Sequence, residues 1–334
     1  MTIKLGINGF GRIGRAVLRR LIETQADDIE ILAINDPAPL ETMAHLLEFD
    51  SLHGRLPVEV TVEGDTLVLG SRRIRFTGAT TPDALAWTDI DIALECSGRF
   101  LTPEAAGLHL KNGSDRVLLS APPKGPMKTV IYGVNDDTIT SDDRIVSNTS
   151  CTTNCLVPMV KVLHDAFGVE AGMASTVHCY TSTQVTHDGP HADLYRARAA
   201  GLSMIPTSTG AAQMLDVVLP ELAGRITGHA IRVPTPNVSC IDLVVTLARP
   251  TDVDGLNDAF RSAAAGTYAD ILATTDRKLV SMDYRQDLNS AVIACDQTRV
   301  QGQMARVLGW YDNEWAFAQR MLDVARVMGR AAGL

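Results

Sequence analysis

At 334 residues the chain is long for a single hydrophobic core, so two domains are expected. An apolar share of 46% and a charged share of 21% are those of a soluble globular protein, and a net charge of −9 argues against a general binder of nucleic acid or anionic membrane, though not against a local basic pocket for a small anion. No apolar run reaches the roughly 18 residues of a membrane span, no signal peptide opens the chain, and six irregularly spaced cysteines fit a reducing cytoplasm better than a disulfide framework.

In chain order, Ile3–Ile7 reads as a short strand, followed by Asn8-Gly9-Phe10-Gly11-Arg12-Ile13-Gly14 and a helix from Arg15 to Thr24. This is Gly-x-Gly-x-x-Gly with a strand before it and a helix after it, the context that makes the motif informative. Gly9 permits the tight turn, Gly11 lets the backbone approach a pyrophosphate, and Gly14 lets the helix pack closely on the strand. A second strand, Ile29–Ile34, ends in Asn35-Asp36. The Asp36 carboxylate suits the hydroxyls of an adenosine ribose and repels a 2′-phosphate, which favours NAD over NADP. Val58–Val62, Thr66–Leu69 and Arg73–Phe76 alternate like antiparallel strands inserted into a parallel sheet. The βα rhythm resumes with Ile90–Glu95, Arg116–Ser120, Val130–Val134 and Ile145–Ser147. Ser97-Gly98 and Ser120-Ala121 stand at strand ends, the edge where a doubly wound sheet binds its ligand.

Ser147-Asn148-Thr149-Ser150-Cys151-Thr152-Thr153-Asn154-Cys155 then leads into an apolar run, the pattern of a strand-to-helix junction with Thr149 or Ser150 as N-cap. Cys151 falls in the first helical turn, where the positive end of the helix dipole lowers a thiol pKa. Pro158 predicts an irregular first turn, because its ring crowds the carbonyl four residues back. Taken alone, Cys151 reads more readily as an inert buried cysteine, and the Cys151–Cys155 spacing does not suit a metal pair. A strand follows at Ala174–His178, then an aperiodic stretch from Cys179 to Ile205 carrying Arg196 and Arg198. Pro206–Ala212 opens a helix with three hydroxyls and a glycine, another place for an anion. Arg232 sits in an apolar run and calls for an anionic partner. Val238–Leu247, Lys278–Met282, Ala291–Cys295 and Arg306–Trp310 alternate like strands of a mostly antiparallel sheet, with helices near Val253–Ala264 and Asn313–Arg330.

A cysteine nucleophile needs a base, and among eight histidines His178, at a strand end, is the best placed. Cysteine and histidine alone equally suit a thiol hydrolase. A dinucleotide site in the same chain points instead to an aldehyde: the thiolate adds, the adduct gives up hydride to a nicotinamide, and a thioester remains. Hydroxyls and an arginine nearby suggest a phosphate, on the substrate or as attacking nucleophile.

The motifs Asn8–Gly14, Ser147–Cys155, Pro206–Ala212, Arg232–Ser239 and Trp310–Trp315, in this order along essentially the whole chain, resemble the glyceraldehyde-3-phosphate dehydrogenase family. The resemblance implies an NAD-binding Rossmann domain over residues 1–150, a catalytic α+β domain over 151–314, and a last helix, about 315–334, packed back on the first. It implies Cys151 as nucleophile and His178 as the base that activates it. Arg12, Ile13, Asp36, Ser120 and Asn313 match contacts to NAD, with Asn313 on the nicotinamide amide. Thr181 and Arg232 match the site for the substrate's C3 phosphate; Ser150, Thr152, Thr209 and Gly210, with Arg196 nearby, match the inorganic-phosphate site. No metal is implied. A homotetramer is, with 179–205 as the loop that reaches a neighbouring subunit, and a cytoplasmic location. The chain departs from the family pattern at Thr80, where many members carry an arginine near the adenine, and at Gly189 and Ala316. Gln297–Val300 looks more like the related erythrose-4-phosphate dehydrogenase. A binding or regulatory protein that keeps the fold without activity is the reading from a different class, opposed by the intact Cys151 and His178 pair.

Overall fold

The computed structural model describes residues 2–334, which divide into two compact units: the chain up to Thr149 together with Ala318–Leu334, and Ser150–Phe317. In the first, β1 (Ile3–Asn8) and β2 (Ile29–Asn35) pair in parallel and are joined by α1 (Arg12–Thr24). Helix α2 (Leu40–Glu48) and a small hairpin, β3 (Phe49–Asp50) with β4 (Gly54–Arg55), follow. Of the inserted strands β5 (Val60–Glu63), β6 (Thr66–Leu69) and β7 (Arg72–Thr77), β6 runs antiparallel to both others, and β7 runs parallel to β2. Then come β8 (Ile92–Glu95), short helices α3 (Pro103–Ala106) and α4 (Leu108–Lys111), β9 (Arg116–Leu119), β10 (Lys128–Thr129) and β11 (Ile145–Ser147). The order across the sheet is β10-β11-β9-β8-β1-β2-β7-β6-β5. Its central strands are buried on both faces, as the consecutive Ile92, Ala93 and Leu94 of β8 show, so they read as continuous apolar runs rather than alternations.

The second unit begins with α5 (Cys151–Phe167) and the long β12 (Val169–Cys179). It continues through β13 (Ile205–Thr207), α6 (Ala211–Val218), β14 (Ile226–Val233), β15 (Ser239–Leu247) and α7 (Val253–Ala265). Strands β16 (Leu272–Thr275), β17 (Ala291–Ala294), β18 (Arg299–Gln301) and β19 (Met304–Tyr311) complete it. The sheet order is β13-β14-β12-β15-β19-β17-β16, with β18 on β19. It is mostly antiparallel, as expected, with parallel pairing at β12–β14 and β16–β17.

Four local expectations are corrected. Helix α1 starts at Arg12, taking Gly14 inside it. The strand expected over Val130–Val134 ends at Thr129; beyond it the Asn135 and Asp136 side chains accept the N–H groups of Ile131 and Gly133 and turn the chain. Lys278–Met282 is not a strand, because the Asp283 carboxylate accepts the Val280 N–H and winds a 3-10 turn over Ser281–Tyr284; the edge strand is β16 instead. The first turn of α5 is regular, with the Asn154 N–H bonded to the Ser150 carbonyl at 3.0 Å, so Pro158 sits too far along to disturb it.

The last helix, α8, runs Trp315–Ala332. In the first unit its Gln319 accepts from Arg20 at 2.9 Å, and its Arg326 forks onto Asp28 at 2.6 and 3.1 Å. No helix among the described residues is long and apolar enough to cross a membrane.

Candidate active site

In the first unit the glycine motif does what its spacing requires. Gly9 has φ 92°, and a Cβ there would lie 2.4 Å from the Ser97 backbone nitrogen; a Cβ on Gly14 would lie 2.4 Å from the Gly9 carbonyl oxygen. At Gly11, by contrast, a Cβ would project into open space at the N-terminus of α1. That backbone borders a cavity of about 190 Å³ lined by Asn8, Gly9, Gly11, Asn35, Asp36 and Ser97, among others. The Asp36 carboxylate is pinned at its edge, accepting the N–H of Phe10 at 2.8 Å and of Ala38 at 3.0 Å. An open cradle at Gly11 and a fixed acid at the end of β2 fit a dinucleotide. Thr80, which stands where the resemblance called for an arginine, lines the same cavity. Gly14→Ala should therefore weaken NAD binding at least tenfold and lower the melting temperature, since the new methyl and the Gly9 carbonyl cannot share the space. Titration of NADH fluorescence with a thermal melt checks both, and an unchanged NADH affinity contradicts the placement.

The other NAD candidates of this unit lie around that turn. The Arg12 guanidinium bridges to Asp50 at 2.5 and 3.3 Å, and Ile13 is half-buried behind it. Although burial raises it, donation from Arg12 and from the N–H groups of His53 and Leu52 brings the Asp50 pKa down to about 2. Ser120, at the end of β9, bonds the Glu95 carbonyl through both N–H and hydroxyl. Sequence reasoning missed Glu95 itself, a fully buried carboxylate accepting from Asn8 at 2.6 Å, His109 at 2.9 Å and the Ser97 N–H at 2.8 Å beneath the cavity. An acid ending the apolar run of β8 was the available signal.

The second unit gathers the nucleophile and its partners. Ser150 is the N-cap of α5, its Oγ accepting the Thr153 N–H at 3.2 Å, so Cys151 is the first helical residue. The preceding Thr149 is held left-handed at φ 58°, unusual for a β-branched residue, with its N–H on the Ser147 hydroxyl. The Cys151 sulfur lies 3.7 Å from Nε2 of His178. His178, 4% exposed, is the penultimate residue of β12, and the parallel register with β14 sets Arg232 directly opposite it. The Cys179 carbonyl accepts from Nη1 of Arg232 at 2.9 Å and lies 2.8 Å from Nδ1 of His178. With the proton on Nδ1, the Nε2 lone pair faces the thiol. Nη1 of Arg232 also stands 2.5 Å from Nδ1, to which it donates in the tautomer that carries the proton on Nε2.

Burial first, then the Arg232 charge, pushes the His178 pKa down to about 3, so the ring is neutral in the free protein. Burial also pushes the Cys151 thiol up, outweighing the helix terminus; Arg232 and the N–H and hydroxyl of Thr152 oppose the rise. The lowered thiol pKa expected from the sequence is thus corrected for the free protein. Either charge alone is unfavourable here, whereas thiolate and imidazolium formed together stabilise one another across 3.7 Å. The other five thiols are raised as well: Cys96 and Cys179 to about 12, Cys240 to about 11, Cys155 well above its ordinary value, and Cys295 upward, all chiefly by burial. Cys151 should be alkylated by iodoacetamide before the other five at neutral pH. Peptide mapping checks this, and Cys96 or Cys179 reacting first contradicts it.

The phosphate candidates are placed less uniformly. Arg232 has no acidic partner among the described residues, its Nε is buried without a hydrogen bond, and Arg196 lies close enough to repel it. Arg196 donates to the Thr207 hydroxyl at 3.0 Å, tying the 179–205 stretch to the segment before α6. Thr209 Oγ1 accepts the Ala211 N–H at 3.3 Å, and Gly210 caps α6 without a side chain. The Thr181 hydroxyl pairs with Thr183 at 2.9 Å. The Thr152 hydroxyl lies 2.9 Å from that of Tyr311, a buried residue the sequence did not single out, which also reaches Thr176. Asn313 Oδ1 accepts from the Cys179 thiol at 3.2 Å and the Ser239 hydroxyl at 3.4 Å. No group of three or more His, Cys, Asp or Glu among the described residues is arranged to hold a metal.

Comparison with known proteins agrees with this geometry. The family model described as glyceraldehyde 3-phosphate dehydrogenase, NAD binding domain, matches residues 3–103, and that described as its C-terminal domain matches residues 150–313. The chain is 54% identical over 331 residues to a glyceraldehyde-3-phosphate dehydrogenase of Cereibacter sphaeroides, and 52% over 333 residues to one of Xanthobacter flavus. One from Pseudomonas aeruginosa is 46% identical over 334 residues. Each comparison covers 99% of both chains.

Proposed function

The chain belongs to the glyceraldehyde-3-phosphate dehydrogenase family, and from that premise we propose that Cys151 and His178 carry the phosphorylating oxidation of D-glyceraldehyde 3-phosphate to 1,3-bisphosphoglycerate with NAD. The observation that carries the assignment of roles is the Cys151 sulfur at the N-terminus of α5, 3.7 Å from a neutral histidine whose other nitrogen is held against the Cys179 carbonyl and Arg232.

Nε2 of His178 accepts the thiol proton, and the thiolate attacks the aldehyde carbon. The developing oxyanion is met by His178 Nε2–H and the Cys151 backbone N–H, and becomes the hydroxyl of a thiohemiacetal. Bound NAD supplies a hydride acceptor. As the thiohemiacetal carbon loses hydride, His178 takes back the hydroxyl proton and a thioester remains on Cys151. Inorganic phosphate then attacks the thioester carbonyl, the C–S bond breaks, and acyl phosphate leaves a free thiolate. Arg232 and Thr181 hold the C3 phosphate of the substrate; Ser150, Thr152, Thr209, Gly210 and Arg196 hold the incoming one. Arg232 suits that task because a buried guanidinium without an acid awaits an anion. Gly9, Gly11, Arg12, Ile13, Gly14, Asp36 and Ser120 hold the cofactor in the first unit, and Asn313 meets its carboxamide.

The reading extends to a homotetramer in the cytoplasm. Leu194, Leu202 and Met204 are 83%, 85% and 76% exposed in the single chain, which suits a 179–205 stretch covered by a second copy, and all six cysteines are free. A grid of initial rates, with glyceraldehyde 3-phosphate or erythrose 4-phosphate, NAD or NADP, and phosphate present or omitted, tests the function. NADH should form fastest with the three-carbon aldehyde and only when phosphate or arsenate is added. Turnover indifferent to both anions, or higher kcat/KM with erythrose 4-phosphate, contradicts it.

A further inference from the structure

The Asp312 carboxylate, 1% exposed, accepts four N–H donors from three stretches of chain. Oδ1 takes the backbone N–H groups of Glu314 and Trp315, each at 2.9 Å, which caps the start of α8. Capping does not account for Oδ2. That oxygen takes Nδ2 of Asn237 at 3.0 Å and the backbone N–H of Gln286 at 2.8 Å. Both donors adjoin left-handed backbone: Val238, next to Asn237, has φ 64°, and Gln286 itself has φ 64°. A β-branched residue takes that conformation only where its surroundings over-determine it, and such places cluster near functional sites.

The strained valine leads straight to the reacting groups. Ser239 follows it, with an Oγ that accepts the Cys179 N–H at 3.1 Å and donates to Asn313 Oδ1 at 3.4 Å. The Cys179 thiol donates to the same Oδ1 at 3.2 Å. Asn313 is thus gripped from two directions, by the backbone on either side of it and by the 237–239 turn, and Asp312 anchors both. With Oδ1 occupied, the amide offers Nδ2, a donor that suits the oxygen of a carboxamide.

We infer that Asp312 is a positioning residue for hydride transfer, fixing the Asn313 amide through its own backbone and through the Asn237–Ser239 turn. The inference rests on Asn313 meeting the nicotinamide carboxamide, as proposed above. Asparagine at 312 is a sharp substitution because it keeps the shape and turns one acceptor into a donor, which must then face either Asn237 and Gln286 or Glu314 and Trp315.

The test compares the full-length wild type, Asp312→Asn, Asn313→Ala and the double variant. The measurements are kcat, the isotope effect with aldehyde deuterated at C1, ADP-ribose affinity and the rate of Cys151 alkylation. Asp312→Asn should lower kcat on the order of a hundredfold and raise the isotope effect, as misplacement of a reacting partner does. ADP-ribose affinity and Cys151 alkylation should stay at wild-type values, whereas a general loosening of this unit moves alkylation as well. In the Asn313→Ala background the added loss should vanish. An unchanged kcat in Asp312→Asn, or a loss that persists undiminished in the double variant, overturns the inference. Asn313→Ala that alone leaves kcat and isotope effect untouched identifies the failure as that of the Asn313 reading. Asn237→Ala, which keeps the helix cap, should show the same signature more weakly if Asp312→Asn does not fold, and an unchanged isotope effect there also overturns the proposal.

Discussion

Replacing Cys151 by serine should lower NADH formation by on the order of 10⁴-fold or more while leaving NAD affinity unchanged. The loss is large because the thiol's chemistry, not its bulk, is in use. A hydroxyl has a far higher pKa than a thiol, and the site raises even the thiol by burial, so neutral His178 cannot ionise an alcohol here. An ester, if formed, would also resist phosphate more than a thioester. The cofactor's affinity should be spared because the glycine turn and Asp36 belong to the first unit, whereas Cys151 belongs to the second. Single-turnover formation of NADH and a separate NAD titration measure the two quantities. Retention of more than about a hundredth of wild-type turnover would remove Cys151 from the role of nucleophile.

His178→Asn should lower turnover by about 10²- to 10⁴-fold, the usual worth of a positioned general base. It should also slow alkylation of Cys151, since a carboxamide does not take up the thiol proton as the imidazole Nε2 does. A second consequence concerns stability. The folded pKa of His178 is depressed from 6.5 to about 3, so the unfolded chain binds a proton first as pH falls. The stability that comes from keeping this ring neutral is complete above about pH 6.5 and is lost progressively as pH falls toward 3. His178→Asn should therefore flatten the acid side of the stability curve while leaving it unchanged in shape above neutrality. Denaturant melts across that range check it; an acid limb as steep as wild type would mean that the ring titrates normally.

What the sequence made legible was whatever local chemistry dictates. The glycine turn, the acid ending β2 and the capped cysteine each announce themselves within a few residues, because a tight turn, a ribose and a helix terminus each demand particular side chains. The Trp310–Trp315 and Arg232–Ser239 segments stand out as motifs, but their contacts do not follow from spacing. Arg232 meets His178 only because β12 and β14 pair in parallel at that register, and Tyr311 reaches Thr152 and Thr176 across the sheet. The expected strands at Val130–Val134 and Lys278–Met282 failed for a shared reason: a nearby Asn or Asp side chain captured backbone N–H groups that a strand would have used. The sign of the Cys151 shift was misjudged because a helix terminus is visible in sequence, and the depth of burial is not.

The most direct measurement quenches the enzyme with glyceraldehyde 3-phosphate and NAD in the absence of phosphate and maps the peptides by mass. One acyl group should be found per chain, on Cys151 alone, and it should disappear when phosphate is added before the quench. An acyl group on any other residue, or NADH formed with none on the protein, would contradict the account.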